Sequence, residues 1–192
     1  MTYLILDLVL FLGIHSVRIV ADDWRTRTIA RIGEGPWKGI YSLISIASFV
    51  LLVWGYGQAR QGGIVLYDPP VFMHHIAGLL MLVSLVLVAA AYVPRNHVKA
   101  ALGHPMLAGV KLWAFAHLLT NGRLADVILF GAFLGWAIAD FISARRRDRV
   151  AARVYPAGQA MRTVLTVAAG AGAWVAFVFG LHRWLIGVPP FV

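Results

Sequence analysis

The sequence predicts an all-α membrane protein, a polytopic bundle of about six transmembrane helices. Hydrophobic residues make up 60% of the 192 residues and charged residues only 13%, whereas soluble domains carry about 25% charged residues. Six apolar segments are each a candidate to cross a hydrocarbon core of about 30 Å. They cover residues 3–20, 40–58, 72–92, 105–120, 124–142 and 163–186. We expect residues 1–192 to form one transmembrane domain.

Turn-forming or polar residues separate these segments. The separators are Gly33–Pro36 in a polar first loop, Gly62-Gly63 and Pro69-Pro70 in the second, Pro94 to Gly103, the tight turn Thr120–Arg123, and Ser143 to Arg162. The first segment has no basic leader and no small-residue cleavage site after its apolar core. We therefore expect a retained helix rather than a signal peptide.

Lysine and arginine are distributed unequally between the loops, which predicts the orientation of the bundle. The first, third and fifth loops hold Arg18, Arg25, Arg27, Arg31, Lys38, Arg95, Lys99, Arg145, Arg146, Arg147, Arg149, Arg153 and Arg162, and the other loops hold Arg60, Arg123 and Arg183. Basic loops stay on the cytoplasmic side, so we expect both termini on the non-cytoplasmic side of a bacterial inner membrane. The net charge of +9 then reflects topology, and no nucleic-acid partner is expected.

The chain has no cysteine, so disulfides, thiolate-bound metals and covalently attached c-type haem are excluded. Zinc-site spacings such as H-x-x-x-H are absent, as is the nucleophile motif G-x-S-x-G. Seven histidines remain: His15, His74, His75, His97, His104, His117 and His182. Histidines within apolar spans generally bind or pair with something. A b-type haem held between helices needs only two histidines, an apolar pocket and cations for its propionates.

The stretch Gly103–Gly122 is the most informative part of the sequence. It is apolar but contains His104, Lys111 and His117. At about 100° per residue, His104 and His117 lie on opposite helix faces, with Lys111 on the face of His104. The two histidines are therefore not expected to bind one metal, and a helix with two polar faces is expected at the centre of the bundle. A buried carboxylate could neutralise Lys111, and Asp7 is the candidate whose predicted depth in the membrane is nearest.

Simpler interpretations compete with ligand binding at several positions. His97 is expected in a solvated loop and His182 at the membrane interface, while His104 before Pro105 fits a helix start. Gly131 and Gly135 have the GxxxG spacing that lets helices approach closely. We expect them to pack within the bundle, with a homodimer contact as the alternative.

Several motifs resemble the NnrU family, whose relatives include the plant 15-cis-zeta-carotene isomerases. The resemblance lies in His104-Pro105, the run Lys111–Leu119 with its Trp113-Ala114-Phe115-Ala116-His117 core, Asn121-Gly122, Phe130-Gly131, His15-Ser16, Gly33-Glu34 and His75. It extends over nearly the whole chain. Its most specific part is His-Pro followed at a fixed distance by W-A-x-A-H.

The resemblance implies a membrane protein with a non-covalent haem b whose axial ligands are His15 and His117. His75 and His104 occupy positions at which the isomerase branch has further important histidines. In that branch, the haem assists isomerisation of an apolar polyene. Ala114 stands where those isomerases have a cysteine. In the bacterial branch, the family name implies a link to denitrification and to a nitrogen-oxide reductase as partner.

Three hypotheses follow. In the first, the chain is a haem b protein in which Arg18, Arg25 and Lys111 contact the propionates. Depth along straight helices favours the rival pairs His15 with His104 and His75 with His117. In the second, a metal-free accessory factor uses the histidines and Lys111 in networks with Asp7, Asp126 or Asp140. In the third, the chain is a haem-dependent polyene isomerase.

Overall fold

The computed structural model describes residues 1–191 and, over that range, contains helices and no β-strand. The helices are α1 Thr2–Val20, α2 Asp22–Ile32, α3 Glu34–Arg60, α4 Phe72–Tyr92, α5 His97–Leu102, α6 Pro105–Thr120, α7 Leu124–Val150, α8 Ala160–Ala176 and α9 His182–Ile186, with a π-helical turn Phe177–Leu181 between the last two. Five helical segments are long and apolar enough to cross a membrane. The remaining predicted span, α6, has 16 residues, or about 24 Å. The all-α transmembrane fold class is confirmed.

Two of the predicted boundaries are wrong. Gly33, with φ of 87°, ends α2, but the following Glu34, Gly35 and Pro36 already form the first turn of α3. Proline is tolerated in a first turn because the backbone N–H that it lacks has no helical partner there. At the other boundary, α7 continues to Val150, eight residues beyond the predicted end, because alanine and arginine are strong helix formers.

The short helix α6 lies at the centre of the bundle, as its two polar faces predicted. It packs between α4 and α7; α8 packs on α4, and α1 packs on both α7 and α3. The contacts therefore run in the order α8, α4, α6, α7, α1, α3. A helix enclosed on both sides can place functional groups against two neighbours.

Glycines bring two helices close to α4. A Cβ atom at Gly170 of α8 would lie 2.5 Å from the Cα of Val86, and one at Gly109 of α6 would lie 3.0 Å from the Ser84 carbonyl oxygen. The Ser84 hydroxyl donates to the Gly109 carbonyl at 2.8 Å. Such contacts between small residues let membrane helices pack backbone to backbone.

The GxxxG pair in α7 is not used in this way. A Cβ atom at Gly131 or Gly135 would meet nothing within 4 Å among residues 1–191. The expectation that this pair packs within the bundle is therefore wrong, since no neighbouring helix approaches it. The alternative of a homodimer contact stays a prediction.

The loops group at two ends of the bundle, as their alternation requires. At the arginine-rich end, Arg147 donates to the Arg18 carbonyl at 3.1 Å, and the Gln159 N–H donates to the Arg95 carbonyl at 2.8 Å. At the opposite end, the Tyr67 hydroxyl donates to the Leu118 carbonyl. The first, third and fifth loops therefore share one end. The assignment of that end to the cytoplasm stays a prediction.

Candidate functional site

A cavity of about 470 Å³ lies toward the opposite end of the bundle. Its walls come from α3, α4, α6, α7, the end of α8 and the segment that follows it, and they are predominantly apolar. Its volume falls within the range of about 300–1,000 Å³ that is typical of small-molecule sites. The polar residues that line it, tryptophans apart, are Tyr56, Arg60, His74, His117, Thr120, Asn121 and His182.

His117 is held in a fixed orientation on the cavity wall. Its ring stacks on Phe130 with centroids 4.6 Å apart, and its Nδ1 lies 2.8 Å from the Trp113 carbonyl oxygen. A carbonyl oxygen only accepts hydrogen bonds, so Nδ1 carries the proton and Nε2 keeps its lone pair. Histidine ligands of metals generally have this arrangement, in which the second nitrogen donates to a backbone carbonyl.

Two further histidines line the cavity. The His182 Nδ1 lies 2.7 Å from the Val188 carbonyl oxygen, and the His74 Nδ1 lies 3.3 Å from that of Val71. The sequence suggested an interfacial role for His182 and none for His74. No local pattern in the sequence reveals them, because His74 and His182 line one cavity through the packing of α8 on α4. A left-handed turn at Gly187 then brings the Val188 carbonyl to His182. Within residues 1–191, no three histidine or acidic side chains gather as a metal-binding group.

His15 lies in an aromatic cluster outside the cavity. Its Nδ1 is 2.6 Å from the Phe11 carbonyl oxygen, which leaves Nε2 with its lone pair, as in His117. Its ring neighbours are Phe11, Tyr41 and Trp136, at centroid distances of 4.3, 5.6 and 6.1 Å. His15 therefore has the tautomer that a ligand needs, in a tightly packed environment.

A continuous series of rings connects His15 with His117. The series begins with Phe11, which packs on His15. Between ring centroids, Phe11 lies 5.7 Å from Phe133, Phe133 lies 5.3 Å from Trp113, and Trp113 lies 5.2 Å from His117. The two histidines named by the family resemblance are therefore joined through aromatic packing. They do not line a common cavity.

His104 belongs to a polar cluster at the arginine-rich end. Its Nε2 lies 2.8 Å from the Asp148 carboxylate, to which the Tyr155 hydroxyl donates at 2.7 Å. Arg153 adds a contact of 3.9 Å. Burial, followed by the hydrogen bond to Asp148, raises the pKa of Tyr155, so its hydroxyl remains a donor at neutral pH. His104 also precedes Pro105 at the first position of α6, which confirms the predicted helix start.

Lys111 shares a helix face with His104, as predicted, since both side chains contact Phe141. The Lys111 ammonium lies 3.7 Å from that ring centroid, and the His104 ring lies 6.3 Å away. Among residues 1–191, Lys111 forms no ion pair. The expected pairing with Asp7 is therefore wrong: that carboxylate packs against Gly55 of α3 instead.

The remaining predicted residues lie in other places. The His75 ring packs 5.9 Å from Phe191. Arg18 and Arg25 both approach Asp22, at 3.7 and 3.8 Å, at the arginine-rich end, and neither lines the cavity. Of the predicted site residues, only His117 therefore does so.

The carboxylates that were expected to form networks with the histidines contact other groups. Asp126 accepts a hydrogen bond of 2.6 Å from the Tyr56 hydroxyl, and Asp140 lies 3.6 Å from Arg147. The acid that contacts a histidine is Asp148, which the sequence had placed only within a polar loop. That loop was predicted where α7 in fact continues.

Comparison with known families identifies the family of this chain. Residues 3–190 match the family described as NnrU protein, which is nearly the whole chain. No curated protein and no solved structure matches it.

Proposed function

Since the chain belongs to the NnrU family, we propose that it binds haem b non-covalently in its membrane-embedded cavity, with His117 as an axial ligand. The observation that carries this proposal is the orientation of His117. Its Nδ1 is engaged by the Trp113 carbonyl, so the lone pair of Nε2 is available on the wall of a largely apolar cavity. Imidazole is the common protein ligand of haem iron.

The cavity fits such a group in two respects. Its volume of about 470 Å³ is suited to a molecule of cofactor size, and the rings of Phe130 and Trp113 fix the imidazole from two sides. When bound, the iron supplies one-electron redox chemistry or binding of small gaseous ligands. The residues of the chain orient the imidazole of His117, and the apolar walls exclude water from it.

The second axial ligand has three candidates. The family resemblance names His15, whereas the cavity walls offer His74 and His182. For His15 to share a haem with His117, the rings of Phe11, Phe133 and Trp113 would have to move out of the packing that joins the two histidines.

Absorption spectra test the proposal. The chain is purified in detergent from cells supplied with a haem precursor, and we expect a Soret band that His117→Ala abolishes or shifts. His97→Ala, at an exposed position of the arginine-rich end, is the control. His15→Ala, His74→Ala and His182→Ala then identify the second ligand. A colourless wild-type protein refutes haem binding, and an unchanged spectrum in His117→Ala refutes the ligand assignment.

One set of contacts favours a second function, that of a metal-free accessory factor. His104 is already engaged by Asp148 and Tyr155, and Tyr56 by Asp126, so part of the intramembrane polarity is satisfied without a cofactor. This alternative predicts a colourless protein that co-purifies with a nitrogen-oxide reductase. The same spectrum separates the two functions.

The resemblance also suggests a role in denitrification and, in the isomerase branch, activity on a polyene. Neither rests on a contact in this molecule. Ala114, at the position of the isomerase cysteine, is fully buried at 0% exposure and carries no thiol. For that reason we give haem binding without isomerisation as the primary proposal.

A further inference from the structure

Arg60 is the one basic side chain among residues 1–191 that lines the cavity, histidines apart. It ends α3, and its guanidinium carbon lies 5.4 Å from the centroid of the Tyr56 ring. Its backbone carbonyl accepts a hydrogen bond of 3.0 Å from Arg123, which anchors the end of the helix. Arg60 therefore places a fixed positive charge at the edge of an apolar space.

The guanidinium of Arg60 has no acidic partner within the described residues. The carboxylate on the adjoining side, Asp126, accepts its hydrogen bond from the Tyr56 hydroxyl. A half-buried cation beside an apolar cavity is costly unless an anion accompanies it. Arginine suits carboxylates in particular, because its planar fork donates two parallel hydrogen bonds.

We propose that Arg60 recognises a carboxylate of the molecule that occupies the cavity, and that this carboxylate is a porphyrin propionate. The inference rests on the proposed haem function and adds an orientation of the porphyrin. Its propionates would point to the end of the bundle that lies away from the arginine-rich loops. The cations suggested by the sequence are otherwise engaged. Arg18 and Arg25 contact Asp22, and Lys111 lies over Phe141.

Metal-free protoporphyrin IX and its dimethyl ester test this inference without requiring an iron ligand. Both are titrated by fluorescence into the purified full chain in detergent. We expect the wild type to bind the free acid more tightly than the ester. Arg60→Gln should weaken binding of the free acid about tenfold, the effect of losing one charge-assisted pair, and leave binding of the ester unchanged. Arg60→Lys should retain part of the preference.

Arg183→Gln is the matched control, because Arg183 lies in α9 at the same end of the bundle, is exposed and does not line the cavity. Arg18→Gln and Lys111→Gln are controls at other depths. Thermal unfolding and size-exclusion profiles of each variant verify folding. Equal losses for acid and ester in Arg60→Gln, or unchanged affinity for the free acid, overturn the inference.

Failure of this inference is distinguishable from failure of the proposed function. Acid-over-ester preference that depends on Arg60, in a protein that forms no histidine-ligated haem spectrum, supports Arg60 and refutes His117 ligation. A His117-dependent Soret band without any effect of Arg60→Gln supports His117 ligation and refutes the proposed role of Arg60. A wild type that binds neither porphyrin refutes the inference about Arg60, and one that is also colourless after purification with a haem precursor refutes both.

Discussion

Gly170 is the position at which a single added methyl group should disturb the bundle most directly. It lies in α8, and a Cβ atom there would sit 2.5 Å from the Cα and 2.7 Å from the backbone N of Val86 in α4. Backbone atoms cannot rotate away as a side chain can. Gly170→Ala therefore requires the two helices to separate.

The magnitude follows from this geometry. Ordinary carbon contacts begin at about 3.4 Å, so the added atom is about 0.9 Å too close to the Val86 Cα at 2.5 Å. Overpacking of this kind costs about 1–3 kcal/mol, against a gain of up to about 1 kcal/mol in helix propensity. We expect a net loss of about 1–2 kcal/mol. The shift should also lengthen the 2.8 Å hydrogen bond from the Trp174 indole to the Gly78 carbonyl, at the cavity wall.

Unfolding by sodium dodecyl sulfate in mixed micelles, followed by circular dichroism, measures this loss. Gly172→Ala is the matched control, because a Cβ atom there would meet nothing within 4 Å and it lies only two residues away in the same helix. We expect that variant to be as stable as the wild type or slightly more stable. If Gly170→Ala and Gly172→Ala unfold at the same detergent fraction, the close packing of α8 on α4 is refuted.

Two further predictions concern the ends of the bundle. Asp148→Asn should lower the free energy of unfolding by about 1–3 kcal/mol, because His104 and Tyr155 lose a charged acceptor. Asp23→Asn, at an exposed position, is the control. Equal stability of the two variants contradicts the prediction. Phe191→Ala should weaken porphyrin binding roughly 2- to 10-fold, since a packed ring contributes about 0.5–1.5 kcal/mol and this one lines the cavity. That loss should be the same for free acid and ester in fluorescence titrations, and a loss confined to one of them would show that the ring acts otherwise.

The sequence was sufficient for properties that depend on local order along one helix. The 3.6-residue period of α6 predicted that Lys111 shares a face with His104, and both side chains contact Phe141 of α7. The opposite placement of His117 does not give it a separate neighbour, because its ring stacks on Phe130, which is also in α7. The grouping of loops at two ends follows from alternation of the spans. The helix start at Pro105 follows from proline chemistry. Each inference needed only residues close together in the chain.

Lateral arrangement could not be predicted in this way. Depth along straight helices suggested His75 as a partner for His117, but depth does not say which helix face meets which neighbour. His104 contacts Asp148, 44 residues further along the chain, only because α7 continues past its predicted end. His182 lines the same cavity as His117 because α8 packs on α4 and α4 packs on α6. These contacts depend on tertiary packing that a single sequence does not encode locally.

Within residues 1–191, two polar groups on the wall of the apolar cavity lack a protein partner, and they are the strongest physical argument for an occupant of the cavity. At the arginine-rich end, His104 is paired with Asp148, and Arg18 with Asp22. On the cavity wall, within the part of the chain that the structure describes, the Arg60 guanidinium has no anion and the His117 Nε2 has no hydrogen-bond partner. Polar groups at membrane depth are expensive and functional when retained. An anionic porphyrin supplies an acceptor for the guanidinium, and its iron accepts the lone pair of the imidazole.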